Sequence, residues 1–193
     1  MTKWLSHRMV ERGIIKEEEQ ELYQFGIRNG MILLLNVVTA LVIGLLTEQL
    51  AVVAVFTLSF MVLRSYTGGY HSDSRIFCYL GSNLVLLVPV YTQAVFYKTS
   101  LAWLLAVLLV SAGIIFLLSP MHSKNRKLDK EEQKHFGRKA RLIAALELVV
   151  LGILWHAGQI PYAYAVYTGI CITALFMLIG KAQLWIQSHT ENR

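Results

Sequence analysis

The placement of charge along the chain constrains the fold more than any single residue does. Long apolar runs alternate with short stretches in which most of the Lys, Arg, Asp and Glu are gathered. A soluble domain of 193 residues spreads its charges over its surface. It also carries more of them than the 16% found here beside 55% hydrophobic residues. Apolar runs of about 20 residues between clumps of charge are the pattern of helices that cross a bilayer, where each backbone polar group must be satisfied within its own helix. The expected fold is therefore all-α: a polytopic membrane protein with six transmembrane helices preceded by an amphipathic N-terminal helix. By length the chain is one domain, residues 1–193.

Near the N-terminus, Trp4, Leu5, Met9 and Val10 recur at helical spacing among Lys3, Arg8, Glu11 and Arg12. That spacing predicts a short helix lying on the membrane surface, broken at Gly13. Glu17, Glu18, Glu19 and Glu21 suit the first turns of a new helix, where the backbone dipole favours negative charge. Spans are then expected at about 22–46, 50–67, 76–97, 101–119, 140–157 and 161–185. The second is short, and Pro89 should kink the third. A basic loop from Pro120 to Arg141 separates the fourth from the fifth. No cleavable signal peptide is expected, because the first apolar run starts near residue 31, behind a segment of mixed charge.

The net charge of +6 would suggest a nucleic-acid partner in a soluble protein. Here the cations alternate by loop, so no nucleic acid is expected. Lys3, Arg8, Arg12, Lys16 and Arg28 lie at the entry to the first span, and none lie between the first two. Arg64 and Arg75 lie between the second and third, and Lys98 alone between the third and fourth. The Pro120–Arg141 loop is rich in cations, none lie between the fifth and sixth spans, and Lys181 and Arg193 close the chain. The positive-inside rule reads this as both termini in the cytoplasm. Tyr91, Tyr97, Trp103, Trp155 and Tyr162 mark one interface, and Trp4 and Trp185 the other.

The segment Arg64–Cys78, RSYTGGYHSDSRIFC, then faces the cytoplasm, a compartment that keeps a thiol reduced. A thiol attacks as its thiolate, so it needs a lowered pKa or a nearby base. Ser72, Asp73 and Ser74 are good N-cap residues for the third span, which puts Cys78 in its first turn or two, at the positive end of the helix. His71 precedes the cap. Gly68 and Gly69 can adopt the positive φ values that fold a loop back and bring the imidazole to the sulfur. Asp73 can orient His71 or merely cap the helix. Arg64 and Arg75 can assist an oxyanion, and Arg64 can equally only anchor the end of the second span. The blander reading, a packing cysteine and a solvated histidine, is favoured by spacing alone. One Cys and one His leave a metal site two ligands short, so neither a metal nor another cofactor is expected.

Arg64, Gly69, His71 and Cys78, with the arginine seven before the histidine, the glycine two before it and the cysteine seven after it, resemble the accessory gene regulator protein B (AgrB) family. Pro120, Asn125 and Lys127 are similar to that family's loop after its fourth span. The resemblance covers nearly the whole chain. It implies that His71 and Cys78 are the catalytic residues of a membrane cysteine endopeptidase of quorum sensing. The substrate implied is an AgrD-like propeptide, cut near its C-terminus and cyclised to a thiolactone. Asp73 is not part of the family pattern.

The basic loop is read first as topogenic charge. The sharper expectation is that Lys124, Asn125, Arg126 and Lys127 also bind the substrate's acidic C-terminal part. Glu147 is an acid inside a span, costly unless paired or neutral. Cys171 should pack as a small apolar residue, and Glu48 should sit at the outer rim. A homodimer is a candidate assembly. The alternatives to a peptidase are a non-enzymatic membrane subunit that binds or exports a peptide, and an acyltransferase using the same thioester chemistry.

Overall fold

The computed structural model describes residues 2–68, 75–121 and 130–190. Every regular element among them is helical: α1 (Thr2–Glu11), α2 (Gln20–Leu46), α3 (Leu50–Thr67), α4 (Arg75–Tyr91), α5 (Gln93–Lys98), α6 (Leu101–Leu118), α7 (Lys130–His156) and α8 (Ile160–Thr190). The chain divides into two compact units, Met1–Thr39 and Ala40–Arg193.

In the first unit, Trp4 of α1 lies under the Arg8 guanidinium at 5.0 Å. The helix ends at Glu11 in a Schellman motif: Gly13, at φ 66°, donates to Val10 O, and Ile14 donates to Met9 O. A single 3-10 turn, Glu17–Glu19, leads into α2, and the Lys16 N–H donates to Glu19 Oε2 at 3.3 Å. Leu33 and Leu34 of α2 are exposed.

The second unit is built around α8, which packs against α3, α4, α5, α6 and α7. Its residues Ala163, Tyr164, Ala165 and Val166 are buried in succession, as in a helix surrounded on all sides. Its buried hydroxyls are satisfied within the helix: Thr168 donates to Tyr164 O and Thr173 to Gly169 O, both at 2.8 Å. One core joins Leu63 of α3, Leu108 and Ile115 of α6, Ala144 of α7, and Ile170 and Met177 of α8. The other joins Ala40, Val53 and Phe56 to Leu86 of α4 and to Ala165 and Ile172 of α8. By contrast α6, the most apolar helix, buries only Leu108, Ser111 and Ile115. An apolar helix that leaves most of its surface uncovered suits contact with lipid rather than water.

Among the described residues, four helical stretches are long and apolar enough to cross a membrane: Glu17–Leu46, Leu50–Thr67, Leu101–Leu118 and Ile160–Ile186. Six were expected, and the two that fall short do so for different reasons. The expected third span, 76–97, is not one helix. It breaks at Thr92, three residues after Pro89, into α4 and the six-residue α5, and its apolar part is only Tyr79–Tyr91. Pro89 itself lies inside α4, and the Thr92 N–H still donates to Val88 O at 3.0 Å, so the ladder passes the proline before it breaks. The expected fifth span, 140–157, lies in a helix that begins ten residues sooner, at Lys130, and holds Lys139, Arg141 and Glu147 in or beside its apolar part. The sequence Lys130–Arg141 is therefore not loop. It is made of good helix formers with one glycine and no proline, and it continues directly into the apolar run.

Candidate active site

Helix α3 delivers the chain to the candidate site. It runs unbroken to Thr67, which is fully buried, and Gly68 then leaves it at φ 71° and ψ −151°. Two hydrogen bonds hold this exit. The Arg64 guanidinium donates through Nη1 to Gly68 O, capping the end of its own helix. The Met121 N–H donates to Thr67 O at 2.9 Å, joining the exit of α3 to the chain just past α6. Gly68 is also the residue type that the approach requires. A Cβ there would stand 2.6 Å from Met121 O, and at φ 71° a side chain is strained in any case.

Around this junction the helices meet through rings and cations. The Arg64 guanidinium lies 5.4 Å from the centre of the Phe176 ring of α8. Phe176 meets Phe60 edge-on at 5.9 Å, and Phe60 stacks on Phe56 at 5.8 Å. On the other side Tyr66 packs against Phe136 of α7 at 6.3 Å, with Lys139 Nζ 5.9 Å from the Tyr66 ring. A cation over an aromatic face adds directional attraction to apolar packing.

Helix α4 begins at Arg75, so Cys78 lies in its first turn. At Arg75 and Cys78 the backbone alone is described. Gly69, His71 and Asp73 lie outside the described residues, as do Lys124, Asn125, Arg126 and Lys127. Of the residues singled out in the sequence, the described structure brings Arg64 and Gly68 together. It adds three that sequence reasoning missed: Thr67, Met121 and Phe176. Arg64 as a cap of its own helix was legible from its place in the last turn. The meeting of Thr67 with Met121, 54 positions on by their numbers, carries no local signal. Among the described residues no three His, Cys, Asp or Glu side chains group as a metal site. The second cysteine, Cys171, sits far from this junction in sequence, in the middle of α8 beside Ser111 and Tyr167.

A family model described as Accessory gene regulator B matches residues 1–179. The chain belongs to the AgrB family. Among curated proteins, it is 26% identical over 156 residues to the accessory gene regulator protein B of Staphylococcus intermedius, covering 79% of this chain and 80% of that protein. It is 23% identical over 148 residues to an AgrB-like protein of Clostridium perfringens strain SM101, covering 74% and 69% of the two chains. A second AgrB-like protein, from C. perfringens strain 13, is 24% identical over 131 residues, 65% of this chain and 61% of that one. No solved structure matches the chain. The Arg64–Cys78 segment falls wholly within the residues that the AgrB family model covers.

Proposed function

We propose that this AgrB-family chain is a membrane cysteine endopeptidase that cuts an AgrD-like propeptide near its C-terminus and closes the remaining part into a ring. The observation that carries the reading is the place of Cys78: in a chain of this family, it sits in the first turn of a helix, eleven positions past Thr67, the last residue of α3. Free backbone N–H groups and the positive helix end favour a thiolate there.

His71 takes the proton from Cys78. The thiolate attacks the scissile carbonyl carbon, a C–S bond forms, and the C–N bond breaks. His71 returns its proton to the departing amine, leaving an acyl-enzyme thioester. A thiol within the substrate gives its proton to His71, attacks the same carbonyl, forms the ring thioester and releases Cys78 as thiolate. Exchange of one thioester for another keeps the acyl group activated until the ring closes, and a water-poor site slows competing hydrolysis. Arg64 orients the loop by holding Gly68 O, while backbone N–H groups at the start of α4 and Arg75 receive the developing oxyanion. Asp73 orients His71.

The hydrogen bond between Met121 and Thr67 supports a second part of this reading. The segments that hold His71 and the basic Lys124–Lys127 stretch leave the described chain from Gly68 and Met121, which are in contact. The basic stretch binds the acidic C-terminal part of the substrate beside the thiol. The chain is then a multi-pass protein of a bacterial cell membrane. Both termini and the active site then face the cytoplasm.

The decisive experiment mixes the purified protein, in lipid nanodiscs, with a short amphipathic propeptide containing an internal cysteine, and follows both by mass spectrometry. The expected products are a C-terminal fragment, a cyclic peptide, and a transient acyl adduct on the Cys78 peptide. A Cys78→Ala protein that still supports peptide maturation would establish the non-enzymatic subunit instead.

A further inference from the structure

Glu147 lies midway along α7 and has no part in the chemistry above. It keeps only 9% of its surface. Ser59 Oγ donates to Oε2 at 2.8 Å, and the carboxyl group has no second hydrogen bond among the described residues. The pair is built from three helices. Ser59 is on α3, Glu147 on α7, and α8 presents Gly169, where a Cβ would stand 2.5 Å from Ser59 Oγ. Any side chain at that position would push the hydroxyl away from the acid.

Ser59 and Glu147 both line a groove of about 680 Å³ between α3, α7 and the start of α8. The rest of its wall is apolar, including Val55, Leu58, Ile143 and Val150. An acid among apolar helices is costly unless it is paired or neutral. A lipid tail would fill the groove but has no donor for the carboxyl group. The α3 wall runs from Ala51 to Val62 and the α7 wall from Ile143 to Leu154. At 1.5 Å per residue each is about 16 Å, or three helical turns. Ala51 and Ala54 leave room for another helix backbone to come close.

We infer that this groove docks an apolar helical segment of a peptide partner that presents one ammonium group to Glu147. An ammonium group has three donors and no acceptor, and it neutralises the carboxylate where water is scarce. The docking does not depend on Cys78, so Cys78→Ala protein should bind as the wild type does, whatever becomes of the peptidase reading.

The test uses the full-length protein in nanodiscs and two fluorescent peptides, each a helix of leucine and alanine with either lysine or norleucine at its centre. Wild-type protein should bind the lysine peptide at least tenfold more tightly than the norleucine peptide. Glu147→Gln should bring that ratio near one, and Ala54→Trp, which fills the groove, should abolish protein-dependent binding of both. Equal binding of the two peptides by the wild type, or a preference retained by Glu147→Gln, overturns the ammonium contact. Saturable binding that survives Ala54→Trp overturns the groove, as does uptake no greater than that of empty nanodiscs. A photocrosslinker beside the central lysine gives a reading on the wild type alone: labelling of Leu58 or Ile143 is expected, and labelling confined to α6 overturns the site.

Discussion

The two ends of the larger unit are held together by different physics. At the end around Phe96, aromatic rings form the contact. Phe96 lies 4.8 Å from Tyr164, 5.3 Å from Tyr167 and 6.1 Å from Trp155, so α5, α7 and α8 meet through a ring cluster. The hydroxyl of Tyr164, 2.5 Å from Thr92 Oγ1, adds a polar link. At the end around Gly68 the contacts are directional: Met121 N–H on Thr67 O, Arg64 on Gly68 O, and cations over Phe176 and Tyr66. Ring clusters tolerate small shifts, because their attraction is spread over many atoms. A backbone hydrogen bond beside a glycine approach does not, because its geometry is narrow. The end that leads into the proposed chemistry is the one whose backbone is pinned.

Exchanging cysteines sharpens the contrast most. Cys78→Ala should lower propeptide processing by at least about 10³-fold, as loss of a nucleophile does. Cys171→Ala, inside α8, should change it by less than about threefold, as expected of a residue that only packs. Mass spectrometry of the released fragment measures both, and equal losses would end the assignment of Cys78.

The glycines at the two ends give the next comparison. Gly68 and Gly158 have nearly the same φ, 71° and 72°. A Cβ at Gly158 meets nothing within 4 Å, whereas at Gly68 it meets Met121 O at 2.6 Å. Gly158→Ala should therefore cost about 1 kcal/mol of stability in detergent unfolding and leave processing intact. Gly68→Ala should cost about 2–3 kcal/mol and slow processing more than tenfold. Similar behaviour of the two variants would show that the Thr67–Met121 junction does not set the site.

Charge gives a smaller effect, confined to the Gly68 end. Reversing Lys124, Arg126 and Lys127 together should raise KM for an acidic-tailed substrate about tenfold, with kcat changed less. The wild-type KM should also rise with salt, since the Debye length is only about 8 Å at physiological strength. An unchanged KM would leave these cations a purely topogenic role. At the Phe96 end, Tyr164→Phe should lower stability by about 1 kcal/mol through loss of the Thr92 contact, with processing unaffected.

The smallest expected effect tests a cap. The turn between α2 and α3 uses the same Schellman pattern as Gly158, with Glu48 N–H on Leu45 O and Gln49 N–H on Gly44 O, but places Glu48 at φ 56°. Replacing Glu48 by glycine should stabilise the protein by a few tenths of a kcal/mol up to about 1 kcal/mol. A loss of stability would mean that the Glu48 side chain has a role the turn geometry does not require.

The ends of α2 and α3 and the whole of α6 were legible in the sequence, because an apolar run bounded by turn residues is a local signal. Thr92 as a break point was half legible: Pro89 announced a disturbance, but a kink and a full break differ only in what packs nearby. The helical start of α7 was hidden by its charges, which read as a cytoplasmic loop although most of its residues favour a helix. In the candidate site, Arg64, Gly68 and Cys78 stood out by type and spacing. Thr67 and Met121 did not, since a threonine and a methionine beside apolar runs are unremarkable until their backbones meet.

By itself the sequence determined an all-helical chain of the AgrB family with helices fit for a bilayer, because hydropathy and helix periodicity are properties of consecutive residues. Only the tertiary structure decided that α8 is the central helix, that Met121 closes on Thr67, and that Ser59 answers one oxygen of Glu147. Those pairings join residues far apart in the chain. They depend on how closely two backbones approach, which no single stretch of sequence encodes.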